Sequence, residues 1–257
     1  MNYVRPKKHL GQHFLTDLGI ASDIAGAMKA DRCRNVLEIG PGTGVLTQFL
    51  LKRDDIDLYA AEIDTESIVF LKENFPQLGQ RLIEGDFLKM DIAAMFPEGV
   101  NIIGNFPYNI SSQIFFKILE IRDLVPEIVG MLQKEVAVRL AEPPGSRDYG
   151  ILSVFLQAFY DIEYLFTVHE NVFNPPPKVK SGVIRLTRNG VQELGCDEKL
   201  FFRIVKATFG QRRKMIRNSF RANFPGIAEE HPFFTKRPEQ LSVADFVELT
   251  IWAQERI

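Results

Sequence analysis

The chain has 257 residues, 46% of them hydrophobic and 25% charged, with a formal net charge of −2 and two cysteines. That composition suits a globular chain long enough for one large domain, or one large and one small, with a substantial core. It excludes a disulfide framework, since Cys33 and Cys196 lie far apart and lack metal-ligand spacing, and a membrane span, since no stretch approaches the roughly 18 apolar residues required. Basic residues among positions 1–8 are followed by no apolar targeting segment, so a soluble, cytoplasmic protein is expected.

Asn35–Gly40 reads as a first strand, 45–51 as a helix, Leu58–Ile63 as a second strand, and Ser67–Leu71 as the start of a second helix. Arg81–Asp86 is a third strand and Asn101–Gly104 a fourth. A helix over Ile110–Ile121 and a fifth strand over Glu127–Leu132 follow. A helix at about 149–158 and strands near 160–167 and 180–187 complete the pattern. Strands that alternate with helices and are apolar almost throughout predict an α/β fold with a doubly wound, mostly parallel, Rossmann-like sheet covered on both faces. Phe173-Asn174-Pro175-Pro176-Pro177-Lys178 cannot be a central strand and is expected as a stiff loop close to the sheet edge. Residues 188–196 read as a linker, with Asn189-Gly190 as a turn signal. Beyond it the patterning is helical only, at 198–209, 211–223 and 242–255, punctuated by Pro225, Pro232 and Pro238. Two domains are expected: 1–188, and a small all-helical one at 189–257.

Glu38-Ile39-Gly40-Pro41-Gly42-Thr43-Gly44 closes the first strand and opens a helix. Glycines there let the main chain turn tightly and approach a ligand. The dinucleotide fingerprint needs its third glycine one position later, where Val45 stands, and the absence of Gly-Lys-Ser/Thr excludes a phosphate-cradling P-loop. Glu-x-Gly-x-Gly-x-Gly resembles the motif of S-adenosylmethionine-dependent methyltransferases. Glu62 ends the second strand, where a carboxylate can accept from both ribose hydroxyls, and Asp86 ends the third, placed to accept from a cofactor adenine amine. Either acid alone could equally be a helix cap or a solvated strand end. Together with the glycines they make Glu38, Gly40, Gly42, Gly44, Glu62 and Asp86 candidate cofactor residues at a switch-point site.

Asn105-Phe106-Pro107-Tyr108 follows the fourth strand and precedes a helix start. It offers an amide oxygen, a carbonyl ahead of a proline, and an aromatic plate, a set that suits a flat base carrying an exocyclic amine. Asn105 and the Phe106 carbonyl can hold both amine hydrogens while Tyr108 stacks on the ring and Phe173 covers the other face. Asn105, Phe106, Pro107, Tyr108 and Phe173 are the candidate catalytic residues. No general base is evident, so positioning and fixed dipoles must carry the catalysis.

Residues 199–221 hold eight lysines and arginines and no acid; the 23 basic residues elsewhere face 33 acids, a balance of −10. One basic band on an acidic body is an electrostatic footprint for phosphates. Arg212, Arg213, Lys214, Arg217 and Arg221 are the candidate RNA-binding residues. Arg213, Arg217 and Arg221 recur every four residues and would share one helix face, with Ile216 and Phe220 toward the core. Arg5, Lys7 and Lys8 could add an arm near the cofactor site.

These motifs, in this order, resemble the rRNA adenine dimethyltransferases. Gly11-Gln12-His13-Phe14-Leu15 is similar to that family's N-terminal Gly-Gln-Asn-Phe-Leu, 173–181 to its Phe-x-Pro-x-Pro-Lys-Val-x-Ser loop, and Phe209-Gly210-Gln211-Arg212-Arg213-Lys214 to its Phe-x-Gln-Arg-Arg-Lys signature. The resemblance runs from about residue 7 to the end. It implies dimethylation of the N6 amines of two adjacent adenosines near the 3′ end of 16S rRNA, within an immature small ribosomal subunit, with S-adenosylmethionine as donor. It also implies cofactor contacts at His13, Leu15, Gly40, Glu62, Asp86 and Asn105. His13 stands where the family has Asn, and Phe106 where Leu is commoner. A monomer without metal is expected. The rival readings are a 23S rRNA dimethyltransferase of the macrolide-resistance type, disfavoured by Gln211-Arg212-Arg213-Lys214, and a non-catalytic rRNA-binding assembly factor.

Overall fold

The structure, a computed structural model, describes residues 4–257. In chain order its elements are β1 (Phe14–Leu15), α1 (Leu18–Ala27), β2 (Asn35–Ile39), α2 (Thr47–Leu50), β3 (Asp57–Glu62), α3 (Thr65–Asn74), β4 (Leu82–Glu84), α4 (Ile92–Met95), β5 (Asn101–Asn105), α5 (Ser111–Glu120), β6 (Glu127–Gln133), α6 (Lys134–Ala141), α7 (Ile151–Gln157), β7 (Tyr160–Val168), β8 (Phe173–Asn174) and β9 (Ser181–Arg188). Three helices follow: α8 (Glu198–Phe209), α9 (Ile216–Asn223) and α10 (Val243–Gln254).

Seven strands form one sheet in the order β4-β3-β2-β5-β6-β9-β7. β4, β3, β2, β5 and β6 run parallel, and β9 is antiparallel to β6. The expected mostly parallel, doubly wound sheet is therefore present. Chain order reverses between β2 and β5, which puts the switch point at the C-terminal ends of these two strands. Val36, Leu37, Ile102, Ile103, Ile128 and Val129 are fully buried in the middle of the sheet, as strands covered on both faces require.

Two glycines shape the sheet beside the site. Gly104 of β5 and Gly130 of β6 are register partners, and the Phe106 ring lies in the notch they leave. A Cβ on Gly130 would stand 2.5 Å from that ring, and one on Gly104 only 2.6 Å from the Ile39 carbonyl oxygen. Phe106 is buried and packs edge-on against Phe115 at 5.9 Å. This side chain thus anchors the motif while its main chain remains at the strand end.

Several elements depart from the expectations. Phe173-Asn174 is not loop: it pairs antiparallel with Phe14-Leu15 as a separate two-stranded sheet, and the prolines that follow stop it there. The helix expected over 211–223 begins only at Ile216, residues 211–215 forming a turn. α1, α4 and α6 are helices beyond those expected. The chain also divides differently. One compact unit takes the residues up to Ala137 with Asp161–Arg188, the other Val138–Tyr160 with Asn189–Ile257. Segment 138–160 clusters with the C-terminal helices because Phe155 packs on Phe202 and Phe201 (4.4 and 6.3 Å) and Tyr149 on Phe209 (6.3 Å). Ile216 and Phe220 are buried as expected.

Gly104→Ala must push a methyl group into the Ile39 carbonyl, a main-chain atom that cannot swing aside. We expect a loss of about 1–3 kcal/mol, the usual cost of overpacking, read as a lower urea midpoint at unchanged slope.

Candidate active site

A cavity of about 250 Å³ opens over the C-terminal ends of β2, β3, β4 and β5. The turn after each strand supplies part of its wall: Gly40 and Gly42, Glu62 and Ile63, Gly85 and Asp86, and Asn105 to Tyr108. His9 to Phe14 of the N-terminal segment add a further wall.

Glu62 organises this region. Its carboxylate is buried and accepts three main-chain N–H groups, from Gly42 (3.0 Å) and from Ile63 and Asp64 (both 2.9 Å). Its carbonyl accepts from Gly85 N–H at 2.7 Å. Burial raises its pKa, and those three hydrogen bonds to the ionised form recover part of the rise. The glycine turn owes its composition to three different needs. Gly40 (φ 66°), Gly42 (57°) and Gly44 (76°) all lie in the left-handed region. A Cβ on Gly42 would meet the Phe14 ring at 2.7 Å and one on Gly44 the Phe75 ring at 2.2 Å, but one on Gly40 would meet nothing within 4 Å. Gly40 is the bare wall of the cavity.

Asp86 caps its own short turn by accepting from Leu88 N–H at 3.0 Å. That turn is fixed from behind by Lys117 of α5, which donates to the Leu88 and Met90 carbonyls at 3.0 and 2.5 Å. Nothing in the sequence signalled Lys117.

Asn105 donates through Nδ2 to the His13 carbonyl at 2.9 Å. Only the NH₂ end of an amide can face a carbonyl, so the orientation is determined and Oδ1 is left as the acceptor. The contact is to the main chain of His13, so Asn or His at position 13 can provide it. The His13 ring contributes separately: Nδ1 lies 2.8 Å from the Pro175 carbonyl, and the ring stacks on Tyr108 at 5.6 Å. Tyr108 shares a 2.6 Å hydrogen bond with Ser181, a buried residue at the start of β9. Burial raises the phenol's pKa above its ordinary value, and the hydrogen bond with Ser181 partly opposes the rise.

His13, Gly40, Gly42, Glu62, Asp86, Asn105, Phe106, Pro107 and Tyr108 are thus brought to one cavity. Leu15, Glu38, Gly44 and Phe173 are not in its lining. Leu15 and Phe173 are buried together in the hydrophobic core, so the Phe173 ring does not stand over a base site in this structure. Glu38 is buried behind the glycine turn, where its Oε2 accepts from the Thr47 hydroxyl at 2.7 Å. Ile63, half exposed at the cavity wall, carried no signal in the sequence, and at Gly11, the first residue of the N-terminal motif, a Cβ would clash with Asn109 Oδ1 at 2.4 Å.

Four of the basic residues singled out, Lys7, Arg212, Arg217 and Arg221, are paired within the fold. Lys7 is paired with Asp64, and with Glu66 at 3.4 Å. Burial alone would raise Asp64, but hydrogen bonds from Lys7, Gln12, Ser67 and the Glu66 N–H outweigh it and hold the carboxyl below its usual range. Arg217 and Arg221 share one face of α9, but Arg213 lies in the non-helical turn before that helix and cannot extend their row. Both α9 arginines pair with the same carboxylate, Glu230, at 2.9 and 2.5 Å. Arg212 donates to the Arg147 carbonyl and lies 3.9 Å from Glu239. Among the described residues, no group of His, Cys, Asp and Glu could hold a metal ion, and no helix is long and apolar enough to cross a membrane.

Open space at Gly40, acids at the next two strand ends and the apolar walls of Ile39, Ala61 and Ile63 fit a nucleoside-type cofactor. The fold and this site together define a Rossmann-like methyltransferase. The profile of the ribosomal RNA adenine dimethylase family matches residues 4–255, and the chain belongs to that family. It is 57% identical to Ribosomal RNA small subunit methyltransferase A of Parabacteroides distasonis, over all of this chain and 97% of the relative. It is 58% identical to the protein of the same name from Cytophaga hutchinsonii, over 97% and 98% of the two chains. A crystal structure of a dimethyladenosine transferase from Plasmodium falciparum matches with a TM-score of 0.78 at 27% identity, covering 95% of this chain and 98% of that one. The 23S rRNA methyltransferase ErmE matches at 0.66 and 26%, covering 93% and 99%.

Glu38 sets a pH test. Burial pushes its carboxyl up to about 8, with Thr47 pulling it partly back and the nearby Glu62 charge adding to the rise. Its unfolded value is about 4.3. Between those values the folded state binds the extra proton, so this residue's contribution to stability is complete below about pH 4 and falls as pH rises toward 8. Glu38→Gln should flatten the fall in unfolding free energy over that range, measured by urea titration at stepped pH. A residual slope of the same sign is expected from Glu62.

Proposed function

We propose that this protein dimethylates the N6 amines of two adjacent adenosines near the 3′ end of 16S rRNA, with S-adenosylmethionine as donor and an immature small ribosomal subunit as its partner. Such a substrate puts its work in the cytoplasm. The observation that carries the reading is the Asn105–Tyr108 segment at the switch point of a chain that matches the family over residues 4–255.

Gly40, Glu62 and Asp86 hold the cofactor, together with the N-terminal wall at His13. When bound, the cofactor supplies an electrophilic methyl group. The residues of the chain must make a poor nucleophile competent. An adenine amine is planar, with its lone pair delocalised into the ring. Asn105 Oδ1 and the Phe106 carbonyl accept its two hydrogens, which favours a pyramidal nitrogen and localises the lone pair. Both acceptors are preorganised. The Asn105 amide is fixed by the His13 carbonyl, and Phe106 by its ring in the glycine notch and its N–H on the Met131 carbonyl at 2.9 Å. Fixed dipoles of this kind need no reorganisation during reaction. Tyr108 is the plate for the unstacked base, held at its far end by Ser181.

Asn105→Ala removes one acceptor and releases the His13 carbonyl. Turnover should fall by at least about 100-fold, the scale of a lost preorganised polar contact, while the thermal midpoint stays within a few degrees; wild-type rates would overturn the mechanism. The function itself is tested by mass spectrometry of rRNA from undermethylated small subunits incubated with the protein and S-adenosylmethionine. Paired dimethyladenosines near the 3′ end of 16S rRNA are expected. Products in 23S rRNA alone would move the protein to the resistance type.

A further inference from the structure

Lys7 was expected as part of a basic arm, yet the fold turns its charge inward, onto Asp64 and toward Glu66 at 3.4 Å. The Asp64 carboxylate is fully buried and faces two ways. Toward α3 it accepts from the Ser67 hydroxyl at 3.0 Å and from Glu66 N–H at 3.3 Å. Toward the N-terminal segment it accepts from Lys7 and from Gln12 Nε2, the latter at 3.3 Å. Its own main-chain N–H donates to the Glu62 carboxylate at 2.9 Å. One residue therefore joins the N-terminal segment to the group that organises the cavity. Segment 7–12 holds together as a unit. Lys7 N–H donates to Gln12 Oε1 at 2.8 Å, Leu10 N–H to the Lys7 carbonyl at 3.1 Å and Gly11 N–H to the Lys8 carbonyl at 3.0 Å. His9 to Gln12 line the cavity, but Lys7 and Asp64 do not. None of Lys8, His9 and Leu10 is buried, so apolar packing does little to seat this unit and polar ties must.

We propose that Lys7 and Asp64 are positioning residues for S-adenosylmethionine: their ion pair seats segment 7–12 as a wall of the cofactor cavity and fixes that wall to Glu62. The inference rests on the cofactor reading of the cavity above. An ion pair between two exposed groups would hold little, but here one partner is buried, and removing the other leaves its charge short of a donor. Without the pair the wall is in place in only a fraction of the molecules, and cofactor affinity falls by that fraction. Bound cofactor restores the wall in the remainder, so the rate at saturating cofactor is spared. Residues 13–15 have anchors of their own in the β1–β8 pairing and the Asn105 contact to the His13 carbonyl, so the acceptors for the target amine stay oriented. The pair thus acts on cofactor binding and not on the reacting atoms.

The test is a double-mutant cycle of wild type, Lys7→Met, Asp64→Asn and the two combined, with Lys7→Arg as the conservative variant. Asn at position 64 keeps the helix cap while removing the charge, so it remains readable if Lys7→Met folds poorly. S-adenosylmethionine binding is measured by calorimetry without RNA, amide hydrogen exchange of residues 8–12 on the cofactor-free protein, and KM and kcat on undermethylated small subunits. We expect each single variant to bind the cofactor about 10-fold more weakly, as for a wall seated in a tenth of the molecules. The double variant should be no weaker than either single, since the two act as one unit, and Lys7→Arg should recover most of the affinity. Exchange over 8–12 should quicken, and KM for the cofactor should rise with kcat held within about 2-fold. Wild-type affinity in Lys7→Met and Asp64→Asn, or losses that add in the double variant, would overturn the proposal and leave the cofactor reading standing. A lower kcat and thermal midpoint at unchanged KM would reduce the pair to a stabilising contact and overturn it equally. If wild type binds no S-adenosylmethionine, the cofactor reading falls with it.

Discussion

Glu62 joins the ends of three neighbouring strands. Its carboxylate takes the N–H of Gly42 in the turn after β2 and two N–H groups at the end of β3, and its carbonyl takes Gly85 N–H after β4. A parallel sheet leaves its strand-end N–H groups without ladder partners, and buried ones must find acceptors. One carboxylate meets three of these demands at once. The gaps left between the tied strand ends form the cavity, so the residue that stabilises the fold also sets the spacing of the site. A carboxylate engaged in this way is costly to bury and more costly to remove, since its loss would strand three donors.

The wall contributed from outside the sheet follows the same economy. Phe14 rests on Gly42 at a distance that no side chain there would allow, and β1 is pinned by β8. The His13 carbonyl orients Asn105, and its ring reaches both Pro175 and Tyr108. A short two-stranded pairing thereby links the N-terminal segment, the proline-rich loop and the Asn105–Tyr108 segment. The Phe106 ring couples that motif to the sheet interior through Gly104 and Gly130. Leu in its place would be smaller in the notch, so the departure from the commoner residue concerns packing and leaves the carbonyl's role intact.

The sheet and the cavity were legible in the sequence because they depend on local signals: apolar runs, glycines after a strand, acids and amides at strand ends. What could not be read depends on contacts between distant segments. Phe173 carries an aromatic ring suited to stacking, yet pairing with Leu15 turns that ring into the core. Glu38 sits in the glycine motif, but strand alternation and Thr47 place it behind the turn. Segment 138–160 has the periodicity of another strand–helix crossover and instead packs its aromatics with α8. The basic band showed no acid over 23 residues, and Glu230 reaches it only through the fold.

In the proposed mechanism the two acceptors would also remove the need for a general base. Attack by the amine leaves a nitrogen that is strongly acidic while it carries the incoming methyl group, and its protons already rest on two oxygens, so loss to water needs no dedicated side chain. In this reading the two transfers are unequal. The first begins with two hydrogens held by Asn105 Oδ1 and the Phe106 carbonyl. The second begins with one, so a single acceptor is satisfied and a methyl group faces the other. Both acceptors are held rigidly, by the His13 carbonyl on one side and the glycine notch on the other. Orientation in the second round therefore falls more heavily on the Tyr108 plate and on RNA held away from the reacting base.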